Sequence, residues 1–181
     1  MLQLNPIQPM PVITHSLPVS RDLYQLRLAL RVLTFGLGMF FLAMSYNKLA
    51  WFDDPGQLTQ RFQRWLPSAA PYARVYLRTV AIPGAEVFAR VVPIAEFLTA
   101  LSMLTGLYTN IAAAAALVMI LNFHTATSSF SSLAFLTDAT GPPLFAALMA
   151  LVVGGSRLPF SLDSEWQAWT LGRRSDGCEI L

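Results

Sequence analysis

Of the polar residues within or beside the apolar segments of this sequence, four have side chains that could do chemistry. Asn47 and Lys48 end the first apolar segment, Glu96 stands in the middle of "VVPIAEFLTALSML", and His124 lies late in the third segment. Ionisable groups surrounded by lipid are costly and often mark proton relays or ligand sites. A carboxyl group and an imidazole at one depth could together protonate a quinone carbonyl.

We therefore take Glu96 and His124 as candidate catalytic residues. Together with Lys48 and Asn47, they are also candidate ligands for a quinone, or for a pigment or a lipid at the helix surface. Each has an ordinary alternative: Glu96 as a neutral structural hydrogen-bond donor, His124 as a packing residue, and Lys48 as a marker of the membrane boundary.

The helical face of Glu96 continues through Thr99, Ala100 and Met103, which are smaller or softer than their neighbours, so Glu96 is predicted to face inward. It should lie about 12 Å below the near boundary of its span. Its partner is either Lys48 or His124. Asn122 lies about 200° around the helix from His124, which predicts a separate hydrogen bond between helices.

The composition indicates a chain whose main solvent is lipid. Of 181 residues, 55% are hydrophobic and 12% are charged, about half the charged fraction of a soluble domain. The net charge of +2 is too small to indicate a nucleic-acid partner. The single cysteine, Cys178, excludes a disulfide within the chain, and no Cys/His cluster predicts a metal site.

Four apolar segments predict an all-α integral membrane protein, an antiparallel four-helix transmembrane bundle. The predicted spans are residues 30–50, 88–107, 111–131 and 139–156, each within a few residues. They lie in a membrane domain of residues 26–163, between an extended N-terminal tail (1–25) and a C-terminal interfacial helix and tail (164–181). In the fourth span, Ala146, Ala150 and Gly154 recur every four residues, which predicts close helix packing.

Short interfacial helices are expected in the loop of about forty residues after the first span and in the C-terminal tail. "LTQRFQRWL" places Leu58, Phe62 and Trp65 on one helical face, and "PYARVYLRTV" has aromatic residues at helical spacing. Trp65, Trp166 and Trp169 are predicted to anchor these helices at the membrane interface. With four spans both termini share one side, and the arginines before the first span favour the cytoplasmic side of a bacterial-type inner membrane.

Three stretches resemble the DoxX/DoxD-like membrane proteins: "AMSYNKLAWF", "VVPIAEFLTALSMLTGLYTNIAAAA" and "GGSRLPFSLD". The resemblance covers roughly residues 28–163 and rests on Lys48, the Pro93–Glu96 pair, Gly106 and the Gly-Gly…Ser-Leu-Asp ending. It implies a four-helix membrane fold and association with redox partners. The DoxD branch is a subunit of thiosulfate:quinone oxidoreductase, but sulfur chemistry does not carry over, because Cys178 lies in the tail.

Three functions follow as hypotheses. The first is an accessory transmembrane subunit of a larger energy-converting complex, respiratory or photosynthetic, with other subunits and membrane lipids as partners and no catalysis of its own. The proline-rich "NPIQPMPVITHSLPVS" would suit a tether to such neighbours. The second is the membrane subunit of a quinone-linked oxidoreductase. The third is a small-solute transporter or a free-standing redox-stress membrane protein. The transporter is disfavoured because the sequence lacks an internal repeat or a pair of broken helices.

Overall fold

The computed structural model describes residues 19–156 and 158–163, and this part of the chain is helical throughout, with no strand. Its α-helices are α1 (Val19–Tyr46), α2 (Ala50–Asp53), α3 (Gly56–Trp65), α4 (Pro71–Tyr76), α5 (Ala85–Thr105), α6 (Thr109–Ala126), α7 (Ala134–Thr137) and α8 (Pro142–Gly154). Two 3₁₀ turns (Leu66–Ser68 and Ser129–Ser131) and a π-helical segment (Leu77–Ala81) complete the order.

Three helical segments in the described part are long and apolar enough to cross a membrane: Arg21–Asp53, which joins α1 and α2, Ala85–Thr105 and Thr109–Ala126. The fourth predicted segment does form a helix, α8, but this helix has only 13 residues. It starts at Pro142, which suits a first helical position, and ends at Gly154, so its length is about 20 Å. The four-span bundle therefore stays a prediction.

The long helices differ from their predicted bounds at several ends. Helix α1 starts at Val19, so residues 19–25 of the predicted tail are helical. Helix α5 starts at Ala85, three residues before the predicted start. Helix α6 ends at Ala126 rather than near residue 131, because the chain turns at Ser128, which has a positive φ of 60°.

Helix α1 packs antiparallel to α5, which also contacts α6, and α6 contacts α8. Ser45 lies opposite Pro93 near one end of the α1–α5 contact, and Arg31 lies opposite Met103 near the other. The core between these helices is formed by ten buried residues: Phe41, Ala100, Met103, Ala112, Ala113, Ala116, Ile120, Leu144, Leu148 and Leu151. Four of them are alanine, which lets the helix backbones approach closely.

The small residues of α8 do not form its packed face within the chain. Its buried residues are Leu144, Leu148 and Leu151, whereas Ala146 and Ala150 are exposed. Only Gly154 makes a close approach, because a Cβ there would lie 2.8 Å from a methyl carbon of Leu30. The predicted stripe is therefore rotated away from the bundle, since the larger leucines bury more apolar area against α6.

The loop between α1 and α5 folds onto the N-terminal half of α5 rather than lying free. In α3, the predicted apolar residues Leu58 and Phe62 are indeed on one face, but this face is buried against protein. Trp65 is half-buried, with its ring centroid 6.0 Å from that of Phe123 on α6. The predicted anchors Trp166 and Trp169 lie outside the described residues.

The turn between α5 and α6 is held by groups distant in sequence. The Arg31 guanidinium donates to the carbonyl oxygens of Met103 (2.9 Å) and Leu104 (2.8 Å), which lie in the last turn of α5. A cation at a helix C-terminus also suits the helix dipole. Gly106 ends α5 with φ 73°, and the backbone N–H of Tyr108 donates to the Asp163 carboxylate at 2.9 Å.

We predict that Gly106→Ala lowers the free energy of unfolding by about 3 kcal/mol, because an L-residue is strained at this φ. The alanine Cβ would also overlap the Cβ of Ser161. Gly36→Ala is the matched control, since nothing lies within 4 Å of a Cβ there. It should leave stability unchanged or raise it by up to about 1 kcal/mol. Unfolding of both variants in mixed micelles, followed by circular dichroism, measures the difference, and equal stability would contradict this account.

Candidate functional site

Glu96 and Lys48 form an ion pair inside the helical bundle. Glu96 lies near the middle of α5, about eleven residues and therefore about 16 Å from its start at Ala85, deeper than the sequence predicted. Thr99, Ala100 and Met103 are buried on the same face, which confirms that this face points inward. The side chains of Lys48 and Glu96 are only 13% and 9% exposed.

The pair is bidentate. The Lys48 Nζ lies 2.6 Å from one Glu96 carboxylate oxygen and 2.7 Å from the other. The third donor direction is used weakly, towards the carbonyl oxygen of Met44 at 3.4 Å. Lys48 is thus the partner of Glu96 and not merely a boundary marker, and one of its N–H bonds remains available to a better acceptor.

Lys48 reaches Glu96 because the backbone tightens between α1 and α2. The N–H groups of Lys48, Leu49 and Trp51 each bond three residues back, to Ser45 (3.0 Å), Tyr46 (3.2 Å) and Lys48 (3.0 Å). This 3₁₀ pattern rotates the residues that follow α1 relative to a continuous α-helix. A short 3₁₀ stretch within a long helix often marks a functional position.

Trp51 covers the ion pair on the side of the loop. It is 6% exposed, and its ring centroid lies 5.8 Å from the Lys48 Nζ and 5.4 Å from the Arg61 guanidinium carbon. A cation within about 6 Å of an indole ring is attracted to it. Because Arg61 is exposed, Trp51 separates the buried pair from a charged surface.

A shallow apolar groove lies between α1 and α5, one helical turn from the pair. The groove has a volume of about 220 Å³ and is lined by six residues: Ser45, Leu49, Phe52, Pro93, Ile94 and Phe97. The Ser45 hydroxyl donates to the Pro93 carbonyl oxygen at 2.9 Å, so the lining offers no free polar group. Ser45 and Pro93 lie one helical turn before Lys48 and Glu96, so the groove starts next to the pair, although neither residue of the pair lines it.

His124 belongs to a different site. It is fully buried at the end of α6, and four phenylalanine rings surround it with centroids 5.0–5.7 Å away: Phe123, Phe130, Phe135 and Phe145. Its Nε2 donates to the carbonyl oxygen of Thr140 at 2.8 Å. A carbonyl only accepts, so this bond fixes the proton on Nε2, and Nδ1 has no hydrogen-bond partner in the described part of the chain.

His124 therefore joins α6 to the segment before α8 and does not contact Glu96. Thr140 is itself fixed by Asp138, whose carboxylate accepts from the Thr140 N–H and hydroxyl, both at 2.8 Å. These two bonds, the backbone one first, hold the pKa of the Asp138 carboxyl below its usual value. The arrangement supports the packing interpretation of His124.

Asn122 and Asn47, the two asparagines considered in the sequence, lie in different surroundings. Asn122 accepts a hydrogen bond of 2.7 Å from the Tyr76 hydroxyl, which confirms the predicted bond between helices. Burial raises the pKa of the Tyr76 phenol, which keeps it a donor at neutral pH. Asn47 is exposed, next to the ion pair in sequence but turned away from it. Trp51 and Ser45 were not among the candidate site residues predicted from the sequence. Both lie three residues from Lys48, and this helical spacing could have indicated them.

The fold and the buried pair together define a helical membrane protein with a charged centre between two antiparallel helices. A family model, DoxX, matches residues 26–127, more than half of the chain, and the chain belongs to the DoxX family. The match includes Lys48, Glu96 and His124 and ends before α7 and α8. No curated protein and no solved structure matches the chain.

We predict that Lys48→Met or Glu96→Met alone lowers the free energy of unfolding by about 3 kcal/mol, because each leaves a buried charge unpaired. The double variant K48M/E96M should regain most of this loss. Glu86 and Arg90 form an exposed pair on the same helix (3.0 Å), and changes there should cost less than about 1 kcal/mol. Unfolding by dodecyl sulfate in mixed micelles tests this, and a double variant as unstable as the sum of the singles would contradict it.

We also predict a pH dependence from Asp138. A carboxyl whose folded pKa is depressed stabilises the fold above its unfolded pKa of about 3.9, and this stabilisation is lost as the pH falls through the folded pKa. The thermal midpoint of the wild type should exceed that of Asp138→Asn at pH 6, and the difference should shrink as the pH falls below about 4. Asp53→Asn, at the exposed end of α2, is the control. A difference that does not shrink between pH 6 and pH 3 would exclude this contribution.

Proposed function

We propose that this DoxX-family membrane protein is the membrane subunit of a quinone-linked oxidoreductase, in which the Lys48–Glu96 pair binds and protonates the quinone head group. The observation that carries the proposal is the position of the pair, near the middle of a candidate membrane span and beside an apolar groove. Ionisable residues at such a depth are expensive, and function is the usual reason for keeping them.

Stability alone is a poor reason for the pair. A buried ion pair often stabilises a fold no better than apolar residues of similar volume would. The pair also has the parts that quinone chemistry needs: a Lys48 N–H bond that is only weakly used, at 3.4 Å, and a carboxylate that can pass a proton. A quinone carbonyl oxygen is an uncharged hydrogen-bond acceptor. It can therefore accept from Lys48 without placing a second negative charge beside the Glu96 carboxylate.

The proposed reaction balances with an external reductant. Reduction of a quinone to the quinol takes two electrons and two protons. A redox partner subunit supplies the electrons, while Lys48 orients a carbonyl oxygen and the Lys48–Glu96 pair passes protons to it. The isoprenoid tail would follow the groove, in which the apolar side chains of Ile94 and Phe97 are exposed.

The accessory-subunit hypothesis is the second candidate, and one observation favours it. Residues 21–29 of α1 are all exposed in the chain, including Leu23, Tyr24, Leu26 and Leu28. This part of α1 extends past the Arg31 contact that marks the end of α5. A helix that carries apolar residues beyond its own bundle suits contact with a neighbouring subunit. Such a subunit of an energy-converting complex would not itself need the ion pair.

Quinone binding separates the two candidates. We expect purified protein in neutral detergent to bind decylubiquinone, measured by quenching of tryptophan fluorescence, and K48M/E96M to bind at least about tenfold more weakly, a change of about 1.4 kcal/mol. The double variant is the informative one, because it is expected to fold while lacking both polar groups.

The control is E86M/R90M, which removes the exposed pair of the same helix and should change the affinity less than about twofold. If K48M/E96M folds and binds decylubiquinone as tightly as the wild type, the quinone proposal is wrong. The accessory-subunit hypothesis would then be tested by co-purification of partner subunits with wild type and with a Leu23→Gln/Leu26→Gln variant.

A further inference from the structure

The segment formed by α4 and the π-helical residues that follow it has two unlike faces. Its inner face, Ala73, Leu77 and Ala81, is fully buried against the bundle. Its outer face is exposed and contains two arginines, Arg74 and Arg78. Three exposed apolar or aromatic residues accompany them: Tyr72, Val75 and Val80.

Two hydrogen bonds place this segment beside the C-terminal end of α6. The Ala70 N–H donates to the Ser128 hydroxyl at 3.0 Å, just past that end, and the Tyr76 hydroxyl donates to Asn122, one turn before it. Helix α6 is one of the three candidate membrane spans. The ends of membrane spans lie at the level of the lipid head groups, so the Ala70 end of this segment lies there. Arg74 and Arg78 follow about one and two turns further along, and their long side chains can extend the guanidinium groups to the head-group level.

A second pair of arginines, Arg61 and Arg64, stands on the exposed side of α3, which packs into the same buried cluster. Among residues 19–156 and 158–163, none of the four has a carboxylate within 4.0 Å, since the two ion pairs found there are Lys48–Glu96 and Arg90–Glu86. Arg74 donates to the Ala69 carbonyl oxygen at 3.1 Å, and Arg61 contacts the Trp51 ring. Within the described ranges, no carboxylate therefore neutralises their positive charge at ion-pair distance.

We propose that these four residues, the basic face (Arg61, Arg64, Arg74 and Arg78), bind the phosphate groups of acidic phospholipids in the surrounding leaflet. A guanidinium binds phosphate oxygens in a bidentate manner. Residues three or four apart share one side of a helix, which brings each pair of arginines together. The phosphate would lie against the arginines, and the glycerol and upper acyl chain against Tyr72, Val75 and Val80.

The exposed apolar residues decide between a lipid and a soluble acidic partner. Val75 is 62% exposed one position after Arg74, and Val80 is 45% exposed two positions after Arg78. A water-soluble acidic protein would leave these side chains without a lipid environment, whereas an acidic phospholipid supplies both the charge and the apolar contact. This lipid site does not rest on the proposed quinone chemistry, although Arg61 and Lys48 both contact the Trp51 ring.

The test measures which lipids the purified full-length protein retains. The protein is equilibrated with mixed micelles of equal dioleoylphosphatidylglycerol and dioleoylphosphatidylcholine, and the bound lipids are counted by native mass spectrometry. We expect at least a fivefold preference of the wild type for phosphatidylglycerol, and a ratio near one for R61Q/R64Q/R74Q/R78Q. The control R21Q/R27Q removes two exposed arginines of α1 and should keep the preference.

Salt provides a test that needs no variant. Because the attraction is electrostatic and exposed, raising the ionic strength from about 0.05 M to about 0.5 M should abolish most of the wild-type preference. A wild type without preference, a preference that survives high salt, or a folded quadruple variant that keeps it would overturn the proposal. An equal loss of the lipid preference in R21Q/R27Q would also overturn it, because the preference would then depend on the total positive charge and not on the basic face.

Discussion

The requirement that Lys48 reach Glu96 fixes the relation between the two longest helices. Because the Lys48 Nζ lies within 2.7 Å of both carboxylate oxygens, α1 and α5 can neither slide nor rotate past each other at this depth. The same contact needs the 3₁₀ hydrogen bonds that follow Tyr46, and these bonds bring Trp51 of α2 against Lys48. The loop helices then follow, since Trp51 belongs to the buried cluster that also contains Leu58 and Phe62.

The molecule thus has two polar centres that serve different helix pairs. The ion pair joins α1 to α5, while His124 joins α6 to the segment before α8 through Thr140. The first centre is partly accessible and adjoins a groove, whereas the second is closed by four aromatic rings. This separation makes the α1–α5 contact the better place for chemistry and gives His124 the role of a buried connector.

Much of this could be predicted from the sequence, where periodicity carries the information. The inward face of Glu96 follows from the size of the residues one turn away, and the angle between His124 and Asn122 correctly separates their contacts. The partner of Glu96 could not be decided, because a helical angle does not say which neighbouring helix a side chain meets. The 3₁₀ stretch at Lys48 contains no Gly or Pro, so there was no local signal from which it could be predicted. In α8, leucine burial outweighed the small-residue repeat.

The length of α8 has a consequence for the lipid around the protein. The hydrocarbon layer of a bilayer is about 30 Å thick, and 13 residues extend for only about 20 Å. A bilayer that α8 crosses would therefore thin there by up to about 10 Å, unless residues that flank α8 complete the span, while it keeps its full thickness along α5 and α6. Such a hydrophobic mismatch bends the two leaflets towards each other on one side of the molecule, so that the protein would gather in thin or curved regions of its membrane.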